Sequence, residues 1–386
     1  MKKLIIIGAN NFQLPLIVKA KEMDLETHVF AWEEGAIGKD VADYFYPFSI
    51  IEKDKILVKA SEIHPDGIIS IGSDLAINTV NYIADKLNLT GNTLACTENT
   101  TNKYVMRKIL SAANLPCPKF SANTNADEVI RSGLHYPLIV KPTDRSGSRG
   151  VSKVNTMTEL EHSIERALTE SFNKQIIIEE FIQGHEYSIE MISWKSDHTF
   201  LQITDKETSG APYFVEKEQH QPSGLPDEIK VKLISIIKKS LSVLGVEFGA
   251  SHSEVIITDA GDIYITEIGA RMGGDYIGSD LVQLSTGFDF VKAVIEVSLG
   301  IQPEIKLTEE NYSGVYYVFP NPGVVVDIID NTQEYSEIVR SEIYVQKGSK
   351  VAEIRESNQR AACFIYKSKS QKFLPEKDTL SLNTQQ

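Results

Sequence analysis

Apolar positions fall in short unbroken blocks near the start of the chain and in longer alternating patterns later. Residues 4–7 are a continuous apolar run, as in a parallel strand buried on both faces. A helical stretch follows at 14–23, then strands at 27–32 and 67–72, then a helix at about 75–87. Alternating strands and helices over residues 1–95 predict a doubly wound parallel α/β domain. Ser73 or Asp74 is the natural N-cap of its last helix. Residues 99–113 read as one helix capped near Glu98 or Asn99. Residues 226–245 read as an amphipathic helix with a core stripe of Ile229, Leu233, Ile236, Ile237, Leu241 and Leu244. Residues 278–299 are helical with an interruption at 285–287, and strand patterns then recur from 312 to 366. The expected class is mixed α/β and α+β, in several domains. These are 1–95, a central 96–300 with a small subdomain at about 115–185, and a small β-rich domain at 301–375. The polar residues 376–386 read as a disordered tail.

Composition narrows the classes of function. At 386 residues there is room for two or three cores, and 42% apolar with 24% charged residues is ordinary for a soluble globular protein. A net charge of −14 excludes a generic nucleic-acid binder but leaves room for a local basic pocket. Cys96, Cys117 and Cys363 have no metal-ligand or redox spacing, which suits a reducing compartment. The apolar run at 4–7 is too short for an export signal, and no stretch approaches the roughly 18 apolar residues of a membrane span. A cytoplasmic protein is expected. Gly8-Ala9-Asn10-Asn11-Phe12 carries one glycine of a dinucleotide fingerprint, so a nicotinamide role is rejected.

The chemistry concentrates between 248 and 275. Two β-rich runs flank Asp259-Ala260-Gly261-Asp262, a tight hairpin turn. With Ala260 and Gly261 as the two turn residues, Glu254 and Glu267 stand opposite each other on one face. Two bare carboxylates there repel unless a cation sits between them, and Mg²⁺ commonly takes one or two carboxylates plus substrate phosphates. Arg271 follows, then Gly273-Gly274 and Asp275. Metal, arginine and backbone amides together are what phosphoryl transfer needs. Upstream, residues 136–142 are a strand carrying Lys141 at its apolar end. The loop after it, Thr143-Asp144-Arg145-Ser146-Gly147-Ser148-Arg149-Gly150-Val151, has free amides that suit phosphate.

As a set these segments resemble the ATP-grasp superfamily, which includes D-alanine–D-alanine ligase, biotin carboxylase and the L-amino acid ligases. The resemblance implies a pre-ATP-grasp domain, an ATP-grasp fold of two subdomains and a small C-terminal β domain. It implies Lys103 and Lys141 on the ATP phosphates and the loop residues Ser146, Gly147, Ser148 and Gly150 beside them. The linker Glu179, Glu180, Phe181 and Ile182 would take adenine, Glu186 the ribose, and Glu254 and Glu267 the metal, Mg²⁺ with Mn²⁺ as the alternative. Glu216 and His220 resemble the residues that face the amino acids in L-amino acid ligases, with one extra residue of spacing. Gly273, Gly274 and Asp275 fall where that family tunes substrate choice. The family usually reads Glu-x-Asn before its arginine, and here Gly269 replaces the Asn.

The function implied is an ATP-dependent carboxylate–amine ligase working through an acyl phosphate, with Arg271 neutralising the transferring phosphoryl group or the tetrahedral intermediate. Its partners would be small acids and amines, an amino acid among them, with neither nucleic acid nor membrane. A homodimer is expected only by analogy with the superfamily. Two alternatives stand beside it: a purine-biosynthesis or carbamoyl-phosphate type of ATP-grasp enzyme, and a non-catalytic ATP-binding regulatory module.

Overall fold

The computed structural model describes residues 1–385. The N-terminal domain runs β1 (Lys3–Ile7), α1 (Leu14–Glu22), β2 (Glu26–Phe30), β3 (Tyr44–Tyr46), α2 (Lys53–Ile63), β4 (Gly67–Ile69) and α3 (Asp74–Leu87). Its sheet has the order β3-β2-β1-β4 and is parallel throughout. Leu4, Ile5, Ile6 and Ile7 are fully buried, as the unbroken apolar run requires. Ser73 caps α3, its Oγ accepting from Ala76 N at 3.3 Å.

The expected single helix at 99–113 is two. Helix α4 (Leu94–Thr101) ends at Asn102, whose extended backbone and side-chain oxygen cap α5 (Lys103–Ala112). An Asx cap competes with helix continuation, and it turns Lys103 into a first-turn residue.

A four-stranded sheet in the order β5-β8-β6-β7 forms the small subdomain. Its strands are β5 (Phe120–Ser121), β6 (Leu138–Pro142), β7 (Ser152–Val154) and β8 (Ile176–Glu180), packed on α6 (Ala126–Arg131) and α7 (Met157–Glu170). The larger sheet has eight strands. It includes β9 (His185–Trp194), β10 (Asp197–Thr208), β11 (Glu216–Gln221), then, after α8 (Asp227–Leu244), the hairpin of β12 (Phe248–Ile257) and β13 (Ile263–Gly269). Helices α9 (Val282–Thr286) and α10 (Phe290–Ser298) follow, the latter packing under β1 of the N-terminal domain in one shared apolar core.

The segment after 301 divides between two sheets. Strands β14 (Tyr312–Val318), β16 (Ile338–Ile343) and β18 (Ala362–Ser368) continue the large sheet beyond β11. The remaining three, β15 (Gly323–Asp330), β17 (Lys350–Val351) and β19 (Leu380–Gln385), make a small antiparallel sheet. The tail is therefore ordered over β19, which pairs with β15 and buries Leu380 and Leu382; Gln386 lies outside the described residues. An alternating Leu-x-Leu inside a polar segment is enough for a half-buried strand. No helix among the described residues is long and apolar enough to cross a membrane.

Candidate active site

The hairpin brings Glu254 opposite Glu267, but by a different route from the two-residue turn. Thr258 N donates to Asp262 O at 2.9 Å, and Gly261 sits at φ +82° in a three-residue loop. That loop sets Val255 against Ile265, and an extra residue, Thr266, bulges out to restore Glu254 to Glu267. The bulged Thr266 carbonyl accepts from Arg107 Nη2.

A cleft of about 1110 Å³ lies between the small subdomain and this hairpin. Lys103, Lys141, Ser146, Gly147, Ser148, Glu179, Glu180, Phe181, Ile182, Glu186, Glu216, Glu254, Glu267 and Arg271 all line it. Gly150 does not. It sits at φ +73°, and a β-carbon there would meet Pro142 Cγ at 2.9 Å and Glu170 Cβ at 3.1 Å, so it lets the loop close onto β6 and α7. Phe181 and Phe214 face each other with ring centroids 6.4 Å apart, and Lys153 lies over Phe181 at 3.6 Å. Aromatic faces at a cleft edge suit a flat heterocycle.

Charge in the cleft is balanced pair by pair. Lys103 Nζ lies 3.1 Å from Glu267 Oε2 and donates to Arg145 O at 2.7 Å. Glu179, nearly fully buried, takes Lys141 Nζ at 2.7 Å and meets Arg107 Nε at 2.6 Å. Burial disfavours its charge, but Arg107 and Lys141 hold the carboxyl below the usual range. For Lys141, burial pushes the ammonium pKa down, helped by Arg107 and Lys103 and opposed by Glu179. Lys206, on β10, lies between Glu254 and Glu216, contacting Glu254 Oε1 closely and Glu216 Oε1 at 3.7 Å. These carboxylates outweigh burial and raise its pKa. Glu254 also meets His252 Nε2 at 3.3 Å, while His252 Nδ1 contacts the fully buried Glu190. Burial works against the imidazolium, yet Glu190 raises His252 to about 9. Burial alone would push Glu254 upward, but Lys206 and His252 hold it well below the carboxylate range.

The donor set fits the groups the sequence implied. Two opposed carboxylates face a cleft with two lysines and a small-residue loop, which suits a divalent cation bridging to phosphate oxygens. Each carboxylate already has a lysine beside it, Lys103 for Glu267 and Lys206 for Glu254.

Other expectations change. His220 is buried and lines neither this cleft nor its neighbour. Its Nδ1 lies 3.1 Å from Tyr366 Oη and its Nε2 3.1 Å from Glu218, and burial lowers its pKa. A shift in register between Thr208 and Glu207 on β10 turns Glu216 toward the cleft, while His220 faces the tyrosines of β14 and β18. Gly273 and Gly274 line neither cavity: Gly273 N donates to Glu190 at 3.0 Å, and Gly274 abuts Gly72 of the N-terminal domain. Both oxygens of Asp275 are occupied by Arg360, at 2.6 and 3.0 Å, so it is no bare acid awaiting an ammonium group. Asp275 and Arg360 instead line a second cavity of about 1340 Å³ with Asn10, Phe12, Tyr276, Tyr317 and Tyr344. Gly147 and Arg149 border both cavities and join them.

Sequence reasoning missed Arg107, Lys206, Glu190, His252 and Arg360, and it read Asp74 as a helix cap rather than the partner of Arg271. Arg107 had one signal, its i+4 spacing from Lys103 on the face of Met106 and Leu110.

Residues 134–280 match the family model described as ATP-grasp domain. The likeness to an ATP-grasp domain thus covers that segment of the chain. It is 25% identical to the uncharacterized protein y4rH of Sinorhizobium fredii over 71% of this chain and 58% of that protein, less than two thirds of its length. It is 27% identical to a formate-dependent phosphoribosylglycinamide formyltransferase of Prochlorococcus marinus over 67% of this chain and 69% of that one. With dapdiamide A synthase of Enterobacter agglomerans the identity is 24%, over 72% and 69%. In architecture it matches an L-amino acid ligase of Bacillus licheniformis with a TM-score of 0.85 at 24% identity, covering 100% of this chain and 99% of that one.

Proposed function

We propose that the protein is an ATP-dependent carboxylate–amine ligase with an amino acid among its substrates. The observation that carries this is the nucleotide-type cleft opening, past Gly147 and Arg149, into a second cavity built by all parts of the chain. ATP lies in the first, with Lys103 and Lys141 on its phosphates. A bound Mg²⁺, held by Glu254 and Glu267, supplies charge neutralisation at the phosphates. The substrate carboxylate attacks the γ-phosphorus, giving an acyl phosphate and ADP. The amine then attacks the acyl carbon, releasing phosphate and leaving an amide. Arg271 lines the cleft beside the two glutamates and neutralises charge on the transferring phosphoryl group and on the tetrahedral intermediate that follows. Arg149 offers the second cavity a guanidinium that complements the carboxylate of an amino acid. The aromatic rings of Phe12, Tyr276, Tyr317 and Tyr344 suit a bulky side chain.

A purine-type reading has support from the formyltransferase relative, and a sugar phosphate would need a free basic cluster. The cations of the second cavity are Arg149 and Arg360, and Arg360 is already paired. The deciding measurement is phosphate release from Mg·ATP, screened over amino acids singly and in pairs. Release that needs two amino acids and falls about a hundredfold or more in Glu267→Gln is expected. No release with any pair, despite ATP binding, would overturn the amino-acid reading and direct the screen to bicarbonate and sugar-phosphate acids.

A further inference from the structure

Arg271 is not held by its own strand. Its Nε donates to Asp74 Oδ1 at 2.7 Å and its Nη2 to Asp74 Oδ2 at 2.8 Å, a two-point fork across the boundary with the N-terminal domain. Only Nη1 is directed elsewhere, to Met272 O at 3.2 Å. Asp74 opens α3, where Ser73 has already taken the capping task, so its carboxylate is available for Arg271. Burial disfavours the Asp74 charge, but Arg271 outweighs it and holds the carboxyl below its ordinary range.

The space for this fork exists because residue 269 has no side chain. A β-carbon on Gly269 would stand 3.2 Å from Asp74 Oδ1 and 3.3 Å from both Cγ and Cζ of Arg271. A side chain there would press on the fork and shift it by a few tenths of an ångström. The two backbones also approach closely nearby: a β-carbon on Gly72 would lie 3.5 Å from Gly274 Cα. The glycine that replaces the usual asparagine is thus matched to a carboxylate arriving from another domain.

We infer that Asp74 is a positioning residue for the phosphoryl-transfer site: from the N-terminal domain it fixes the plane of the Arg271 guanidinium over the cleft, and Gly269 is the residue that makes room for it. The N-terminal domain thereby sets catalytic geometry as well as lining the second cavity. This rests on the phosphoryl-transfer reading of Arg271 but not on the identity of the acid or amine. A fixed guanidinium matters most where charge is spread over a transferring phosphoryl group and least for ground-state nucleotide.

The test compares binding of Mg·ADP with binding of Mg·ADP plus aluminium fluoride, a planar mimic of the transferring phosphoryl, by titration calorimetry. Asp74→Asn keeps the shape and removes the charge; Gly269→Ala keeps both charges and displaces the fork by a few tenths of an ångström. Both are expected to leave Mg·ADP affinity within about twofold and to weaken the aluminium fluoride complex about tenfold or more, as Arg271→Lys does. Asp74→Glu restores part of the loss. Lys19→Ala cuts another tie of the same domain, the 3.0 Å pair with Asp289, and leaves both affinities unchanged. Equal weakening of Mg·ADP and the mimic would reduce Asp74 to domain glue. Mimic affinity unchanged in Asp74→Asn and Gly269→Ala, or a wild-type chain that does not discriminate mimic from Mg·ADP, would overturn the inference. A wild type that binds the mimic tightly yet releases no phosphate with any amino-acid pair leaves Asp74 in place and removes only the substrate assignment.

Discussion

Arg107 and His220 mark opposite errors of reading single residues. A charge on a helix is usually solvated, yet Arg107 is fully buried and contacts Glu179. Its only local signal is its place on the face of Met106 and Leu110, because its partner is far away in the chain and reaches it through β8. His220 carried a functional expectation and is instead a core histidine between Tyr366 and Glu218. Its titration gives a prediction. The unfolded imidazole takes up a proton as pH falls through about 6.5, whereas burial lowers the folded value. At this group the unfolded state then binds more protons, so its contribution to stability is flat above that pH and falls below it. His198, also lowered by burial, adds to the same slope. Urea unfolding from pH 7 down to 5 should show declining stability, with a shallower decline in His220→Gln; identical slopes would place the titrating group elsewhere.

At the scale of elements, strands were legible and their partners were not. Period-two patterning identified β14 and β18, but their places beside β11 in the large sheet depend on pairing across the chain, for which a sequence has no local signal. The hairpin shows the same limit: the opposition of Glu254 and Glu267 was readable, the Thr266 bulge that produces it was not. The last strand was misread because its composition is polar and only Leu380 and Leu382 point inward, against Tyr316, Phe364 and Tyr366. Truncation after Thr379 removes both leucines and the pairing of β19 with β15. Each buried leucine contributes about 1.5–3 kcal/mol, so the truncation should cost roughly 3 kcal/mol or more. The urea midpoint measures it, and a midpoint equal to that of the full chain would mean β19 contributes nothing.

Across the whole molecule, the apolar cores do not follow the boundaries drawn from sequence. Leu4, Ile6, Leu16 and Ile17 of the N-terminal domain share one core with Ile192 of β9, Ala250 of β12 and Phe290, Val294 and Ile295 of α10. The small subdomain keeps a separate core of Val129, Leu138, Val140, Leu160, Ile164 and Ile178. A boundary near residue 95 therefore cuts through one shared core, although Ile5, Ile7, Phe30, Ile56 and Ile83 form a second core within the N-terminal domain alone, while the core of the subdomain at 115–185 is shared with no other part. That division suits the cleft, since the small subdomain carries Lys141 and the phosphate loop and can shift without disturbing the Asp74–Arg271 fork. Hydrogen exchange reads the difference. Phe290→Ala, worth about 3–5 kcal/mol, should raise amide exchange in β1, α1, α10 and β12 together. Leu160→Ala, worth about 2–5 kcal/mol, should raise it in β6, β8 and α7 alone. Exchange from Phe290→Ala confined to α10 would show that the N-terminal domain folds as its own unit, and the fork would then join two independent bodies.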